Sequence, residues 1–276
     1  MVSRKYTKEE TDRFVTIDGI RLHYNEAGDG PALICTHGGG PGANAWDNTK
    51  WALDALAEHF RVFLVDMPGF GESQMHVSRE GVPMDIFCAR LKKGFIDHLG
   101  IEKTHLYGSS AFSAAALRFG IDYPDRVGRV VIQAYAPSQH PGLTPGLKAV
   151  GDFAREPSMA NMEKMMEQFT PNPELRTRAA LEARFRAADN PAHLQSRLEM
   201  SAASNSDLVA ELRSLTAKVL VTWGNHDGMI PVAGILAALE EIPDVRAHLW
   251  GGNSGHFVAT EHPDEFARLV TDFLLK

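Results

Sequence analysis

The feature that most limits how this chain can fold is a rhythm. Eight short runs rich in β-branched and aromatic residues recur along its 276 residues: FVTI from Phe14, RLHY from Arg21, ALICT from Ala32, RVFLVD from Arg61, THLYG from Thr104, VVIQAY from Val130, KVLVTWG from Lys218 and RAHLW from Arg246. Runs of this kind, bounded by turn residues, read as strands. Asp18 and Gly19 lie between the first two, a dipeptide that suits a tight hairpin. The later runs alternate with amphipathic segments of helix length: Trp46 to His59, Asp85 to Leu99, Ala111 to Tyr123, Val232 to Glu241 and Pro263 to Leu274. That alternation predicts an α/β architecture, a mostly parallel eight-stranded sheet flanked by helices on both faces, with an antiparallel edge at its start. Pro263 fits the first turn of the final helix, and Phe266, Leu269, Val270 and Phe273 give it an apolar stripe to close the sheet's flank.

The rhythm breaks once. Between VVIQAY and KVLVTWG the chain turns rich in Met, Ala, Arg and Glu, with Pro and Gly breaks and no convincing strand. We therefore expect a helical lid over residues 137–215, inserted into a core made of residues 1–136 and 216–276. A hydrophobic content of 44% is enough to bury one sizeable core. Inside the lid, MANMEKMMEQF sets Met159, Met162, Met165, Met166 and Phe169 at helical spacing. That stripe fits ordinary core filling and the wall of a flexible apolar pocket equally, and the sequence leaves both open.

Charge and composition exclude several partners. The net charge is −7 and no Lys/Arg cluster would neutralise a run of phosphates, so a nucleic-acid partner is not expected. The opening MVSRKYTKEETDR has no apolar core, and no apolar run approaches the roughly 20 residues of a bilayer crossing, so no membrane partner is expected and the protein reads as cytoplasmic. Cys35 and Cys88 lack CxxC or metal-ligand spacing and read as structural.

The chemistry concentrates at three strand ends. THLYG runs into Ser109, Ser110 and Ala111 and then into a small-residue helix, the strand–turn–helix context of a nucleophile elbow with Ser110 at the tip. A serine hydroxyl is a weak nucleophile until a base takes its proton, and that base needs an acid to orient it. Asp227 in WGNHDGMIP and His256 in GGNSGHF each follow a predicted strand, in the chain order serine, acid, histidine. Singly, such an Asp often caps a helix and such a His is often merely exposed; in this order the catalytic reading is stronger. The run HGGGPG from His37 leaves a predicted strand with unhindered backbone N–H groups, so Gly39 and Ala111 are the expected oxyanion donors, with Gly38 on the substrate side. It lacks the Lys-Ser or Lys-Thr of a phosphate-binding loop, and no GxGxxG with a downstream acid occurs.

Several stretches resemble the meta-cleavage product hydrolases of aromatic degradation, a family of the α/β-hydrolase fold that breaks a carbon–carbon bond in 2-hydroxy-6-oxo-dienoates. The resemblance covers nearly the whole chain: HYNEAGDGPA leading into HGGGPGANAWDN, then DMPGFGES, YPDRVGRVVI, WGNHDGMIP and GHFVATEHPDEFARLVTDFL. Several of these are generic to the fold, whereas GGGPGA followed by Trp46 and Asn48 is more particular. The resemblance implies substrate-positioning roles for Asn48 and for Arg184, the latter at the dienoate end that carries the carboxylate and 2-oxo group. A planar guanidinium fork suits that task; alternatively Arg184 is a surface partner of Glu182 or Asp189. The resemblance also implies histidine-assisted ketonisation followed by serine-dependent hydrolysis, no metal or organic cofactor, a small-molecule substrate, and a homodimer or larger assembly.

The chain departs from the pattern beside the nucleophile. Members of the family usually carry asparagine before it and glycine two places after it, whereas this chain has Ser109 and Phe112. Helix and strand pack closely there, so Phe112 is expected to enter the site and reshape the acyl pocket. Phe257 stands where the family often has tryptophan, keeping an apolar face without the indole donor. Other functions fit the same residues: a carboxylesterase or lactonase using the same triad, a ligand-binding homologue with an elbow remodelled by Phe112, or cofactor-independent oxygen chemistry on a heteroaromatic.

Overall fold

The computed structural model describes residues 4–135, 142–201 and 205–276. The start of the expected lid, residues 137–141, therefore lies outside the described residues. All eight expected strands form: β1 Asp12–Ile17, β2 Ile20–Ala27, β3 Ala32–Thr36, β4 Arg61–Val65, β5 Thr104–Ser109, β6 Val127–Gln133, β7 Val219–Gly224 and β8 Val245–Trp250. They make one sheet in the order β1-β2-β4-β3-β5-β6-β7-β8. Pairing is antiparallel from β1 to β2 and from β2 to β4, and parallel everywhere else. The hairpin turn is the one its dipeptide calls for, with φ of 50° at Asp18 and 80° at Gly19.

The helices are α1 Ala45–Leu56, α2 Met84–His98, α3 Ser113–Asp122, α4 Pro145–Arg155, α5 Met159–Phe169, α6 Arg178–Ala188, α7 Pro191–Ser201, α8 Gly234–Glu241 and α9 Pro263–Leu275, with shorter turns between them. Two apolar layers cover the sheet. On one face Leu53 and Leu56 of α1 and Phe266, Val270 and Phe273 of α9 bury against Leu33, Val62, Leu64 and Tyr107. On the other, α2, α3 and α8 bury against Ile34, Phe63, Leu106, Val130 and Val219. The parallel strands β3 and β7 are buried at every residue, as two covered faces demand.

Between β6 and β7 the described residues form helices and no strand. Four of these helices carry a side-chain cap or proline at the start: Thr144 caps α4, Ser158 caps α5, Thr177 caps α6, and Pro191 opens α7. Their apolar faces meet in a small core of Phe153, Met162, Met165 and Leu181.

Candidate active site

The elbow is built by close packing. β5 ends at Ser109, and Ser110 then adopts φ +50°, a left-handed conformation that non-glycine residues rarely occupy. A single 3₁₀ turn, Ser110–Phe112, leads into α3. Gly108 lets helix and strand touch: a Cβ there would lie 2.7 Å from the Phe112 carbonyl oxygen and 2.8 Å from Ser113 Cα. Ser113 Oγ donates to the carbonyl oxygens of Gly108 at 2.8 Å and Gln133 at 3.2 Å, closing the turn against the sheet.

The glycine run lies directly on this elbow. A Cβ at Gly38 would sit 3.3 Å from Ser110 Cβ, and one at Gly39 3.0 Å from Ala111 Cβ. His37, wholly buried, fixes the base of the run. Its Nδ1 is 2.7 Å from the Gly38 carbonyl oxygen and its Nε2 accepts the Met67 N–H at 3.1 Å, so the proton belongs on Nδ1. Burial lowers its pKa, in keeping with a neutral ring. Asp66, from DMPGFGES, ties the start of α1 to the same region by accepting the N–H groups of Ala45 at 2.7 Å and Glu72 at 3.1 Å. Gly71 is required beside it, since a Cβ there would fall 1.9 Å from Asp66 Oδ2.

Asp227 and His256 meet at the same end of the sheet. Nδ1 of His256 is 2.7 Å from Oδ2 of Asp227, with both side chains buried. Oδ1 of Asp227 accepts the backbone N–H groups of Met229 at 2.8 Å and Ile230 at 2.9 Å. The last turn of α5 leaves carbonyls without helical donors, and the two loops supply them. Gly228 N–H donates to the Gln168 oxygen at 3.2 Å, and His256 N–H to the Phe169 oxygen at 2.6 Å. Gly228 and Gly255 permit that approach, because Cβ atoms there would lie 2.8 Å and 2.6 Å from those same oxygens.

A cavity of about 740 Å³ opens over these groups. Ser110, Ala111, Gly38, Gly39, Asn48, Arg184, His256 and Phe257 all line it, so the fold brings these sequence-selected residues to one place. Asn48 sits on α1, its Nδ2 making a long 3.4 Å contact to Thr49 Oγ1 and its side chain also meeting the Tyr107 hydroxyl. Arg184 is not a partner of Glu182, which pairs with Arg178 instead. Its guanidinium carbon lies 5.4 Å from the ring centroids of both Phe169 and Phe257, which are themselves stacked 4.8 Å apart. Its Nε is sealed from solvent with no hydrogen-bond partner among the described residues. Burial pulls the guanidinium pKa down to about 10, opposed by the nearby Asp47 carboxylate, which leaves Arg184 charged at neutral pH.

Phe112 corrects the expectation placed on it. Its ring is fully buried and does not line the cavity. It turns to the helix side of the elbow, where its centroid lies 5.0 Å from His37 and 5.5 Å from Phe70, both edge-on. The space that a glycine would leave at this position is filled by these rings, so Phe112 buttresses the glycine loop from below rather than narrowing the pocket. The methionine stripe divides: Met162 and Met165 are core, while Met166 and Phe169 face the cavity.

The remaining walls were not singled out in the sequence. Leu147 and Val150 of α4, and Met229 and Ile230 just after Asp227, line the cavity. The last two were within reach, since residues that follow Asp227 on the same strand-end loop share its position. One group of potential metal ligands, Asp12, His23 and Glu72, lies elsewhere. Both ring nitrogens of His23 already face carboxylates, those of Asp66 and Asp12, and Glu72 pairs with Lys8.

The family model described as alpha/beta hydrolase fold matches residues 31–263, and the chain belongs to that family. It is 35% identical to a 2-hydroxy-6-oxo-6-phenylhexa-2,4-dienoate hydrolase of Burkholderia cepacia, over 97% of this chain and 98% of that one. A 2-hydroxy-6-oxononadienedioate/2-hydroxy-6-oxononatrienedioate hydrolase of Comamonas testosteroni is 34% identical, over 96% of each. The solved structure of a mutant meta-cleavage product hydrolase from Pseudomonas fluorescens IP01 superposes with a TM-score of 0.85 at 28% identity, covering 96% of this chain and 98% of the other. Within the fold family, this chain groups with the meta-cleavage product hydrolases.

Proposed function

We propose that the protein hydrolyses the C5–C6 bond of 2-hydroxy-6-oxo-dienoates, with Ser110, His256 and Asp227 as the catalytic set. The observation that carries this reading is Arg184: a charged guanidinium, its Nε without a hydrogen-bond partner among the described residues, on the wall of the cavity that holds Ser110 and His256. An esterase needs no such cation, whereas a substrate with a carboxylate at one end does.

The carboxylate and 2-oxygen of the dienoate bind Arg184, with Asn48 beside them, which sets C6 over Ser110. His256 takes the 2-hydroxyl proton and a proton is delivered to C5, giving the keto tautomer. Ser110 Oγ, or a water it activates, then attacks the C6 carbonyl while His256 accepts the proton. Gly39 and Ala111 N–H groups hold the resulting oxyanion. The C5–C6 bond breaks with its electron pair delocalised into the 2-oxo acid, and water completes release of a 2-hydroxydienoate and a carboxylic acid. Asp227 holds the imidazole in the tautomer that both proton transfers need.

Stopped-flow ultraviolet spectroscopy with dienol ring-fission products tests this. The wild type is expected to consume the dienol band and release both acids. Ser110→Ala is expected to ketonise without cleaving, and His256→Ala to fail at both. An unchanged dienol band with every substrate, beside rapid turnover of aryl esters, would overturn the reading in favour of an esterase. Phe112 leaves the cavity open, which removes the reason to read the chain as a binding protein with a remodelled elbow.

We also propose self-association along β8. This strand ends the sheet with one edge unpaired, and Leu249 upon it and Leu236 and Leu239 on the adjacent α8 are exposed. A solution mass equal to one chain would overturn it.

A further inference from the structure

The charges around the cavity are unevenly spent, and from them we infer that the chain takes monocarboxylate dienoates with an apolar group on C6, and rejects those whose C6 chain ends in a second carboxylate. The inference rests on the C–C hydrolase reading above and goes on to name the acyl half of the substrate.

Lysine and arginine line the cavity at only two described positions, Lys50 and Arg184. Lys50 is already bound to Asp47, one turn earlier on α1 and also on the wall. His256 is held by Asp227. Glu174 stands at the wall as a further negative charge. Asp47 also acts on Arg184, but from beyond ion-pair distance, so Arg184 is the one of the two cations that makes no direct ion pair among the described residues, and a single carboxylate satisfies it.

With the dienoate carboxylate on Arg184 and C6 at Ser110, the C6 substituent must extend along what remains of the wall. Its apolar residues are Leu147, Val150, Met166, Met229 and Ile230, with the hydroxyls of Thr170 and Thr177 also on the wall; the five apolar residues belong to one cluster with Phe153 and Met165. The nearest lysine in sequence, Lys148, lies on α4 between Leu147 and Val150 but is exposed and paired with Asp152. Residues 136–141 and 202–204 contain no lysine or arginine. A carboxylate carried into this arm would lose its hydration and meet thioethers and branched alkyl groups, with neutral threonine hydroxyls and no free cation among the described lining residues to offset the loss. An aryl or alkyl group would meet matching surface, and the two methionines adapt to its shape.

The relatives offer the two probes that separate these cases, the 6-phenylhexadienoate and the nonadienedioate. With wild-type enzyme, kcat/KM for the phenyl compound is expected to exceed that for the dioate by about 100-fold or more, the scale of an unpaired buried charge. Val150→Arg, which sets a cation into the apolar arm and touches none of the catalytic groups, is expected to shrink that ratio about tenfold or more by raising dioate turnover. The wild-type ratio decides the question even if the variant does not fold. Equal or faster cleavage of the dioate would overturn the inference while leaving the C–C hydrolase reading intact. A dienol band unmoved by both probes would overturn that reading, and the inference with it.

Discussion

Oδ2 of Asp227 lies 2.7 Å from Nδ1 of His256, while the other oxygen of the same carboxylate is held by the N–H groups of Met229 and Ile230. The two amides leave the carboxylate no freedom to turn, so the imidazole is aimed by the backbone of its neighbour's loop. Asp227→Asn keeps the shape but presents an N–H to the ring, favouring the wrong tautomer. We expect kcat to fall roughly 100- to 10,000-fold with the melting temperature little changed. Steady-state kinetics check this, and a kcat within about threefold of wild type would remove Asp227 from the catalytic set.

Arg184 yields the sharpest split between substrates. Its charge is desolvated and its Nε unpaired, so removing it should cost little in the free enzyme and much in the complex with a carboxylate. Arg184→Gln is expected to lower kcat/KM for dienoates by about 2–5 kcal/mol, thirtyfold or more. Any turnover of a neutral aryl ester should be spared. Arg184→Lys should restore only part of the loss, because an ammonium cannot offer the bidentate fork. Equal losses on ester and dienoate would mean that Arg184 supports the wall and not the substrate.

Phe112 is predicted to matter for stability and not for substrate choice. Its ring is fully buried between His37 and Phe70, and truncating a packed phenylalanine to alanine costs about 3–5 kcal/mol. Phe112→Ala should therefore unfold at a markedly lower denaturant midpoint while preserving the ratio of rates across C6 substituents. A variant that keeps its stability and accepts larger substituents would put the ring back in the pocket.

How the sequence misleads at Phe112, and guides elsewhere, has a physical cause. The eight strands were legible because β-branched runs between turn residues have few other outcomes, and the gathering of Ser110, Asp227 and His256 at one end of the sheet was legible because each follows such a run. Phe112 was misread because sequence spacing places it next to Ser110 but does not say which way a 3₁₀ turn points its side chain. Gly228 and Gly255 were legible only as loop glycines. Their purpose, admitting the end of α5 against the loops of Asp227 and His256, depends on carbonyls of Gln168 and Phe169 far away in the chain. Likewise, nothing local to EARFRAAD distinguishes Arg184 from its neighbours. The distinction arises because Arg178 takes Glu182, leaving the Arg184 guanidinium to lie over Phe169 and Phe257.

Lys92 is a burden that the core carries, and it supplies a pH-dependent test. The side chain is buried on α2, its Nζ has no partner among the described residues, and burial pulls its pKa down from 10.5 to about 8. At pH 7 both the folded and unfolded chains hold the proton, so the folded state bears the full cost of an unpaired charge, about 3 kcal/mol for a shift of this size. Above pH 8 the folded chain releases the proton while the unfolded chain keeps it up to about 10.5, so the unfolded state binds more protons and stability rises with pH across that window. Lys92→Met, similar in length and apolar, should therefore be more stable than wild type at pH 7, with the advantage shrinking as pH rises from 8 towards 10.5. Comparing denaturant midpoints of the two proteins at matched pH cancels the titration of every other group. An advantage that stays constant across the window, or a variant less stable at pH 7, would show that the ammonium has a partner in solution.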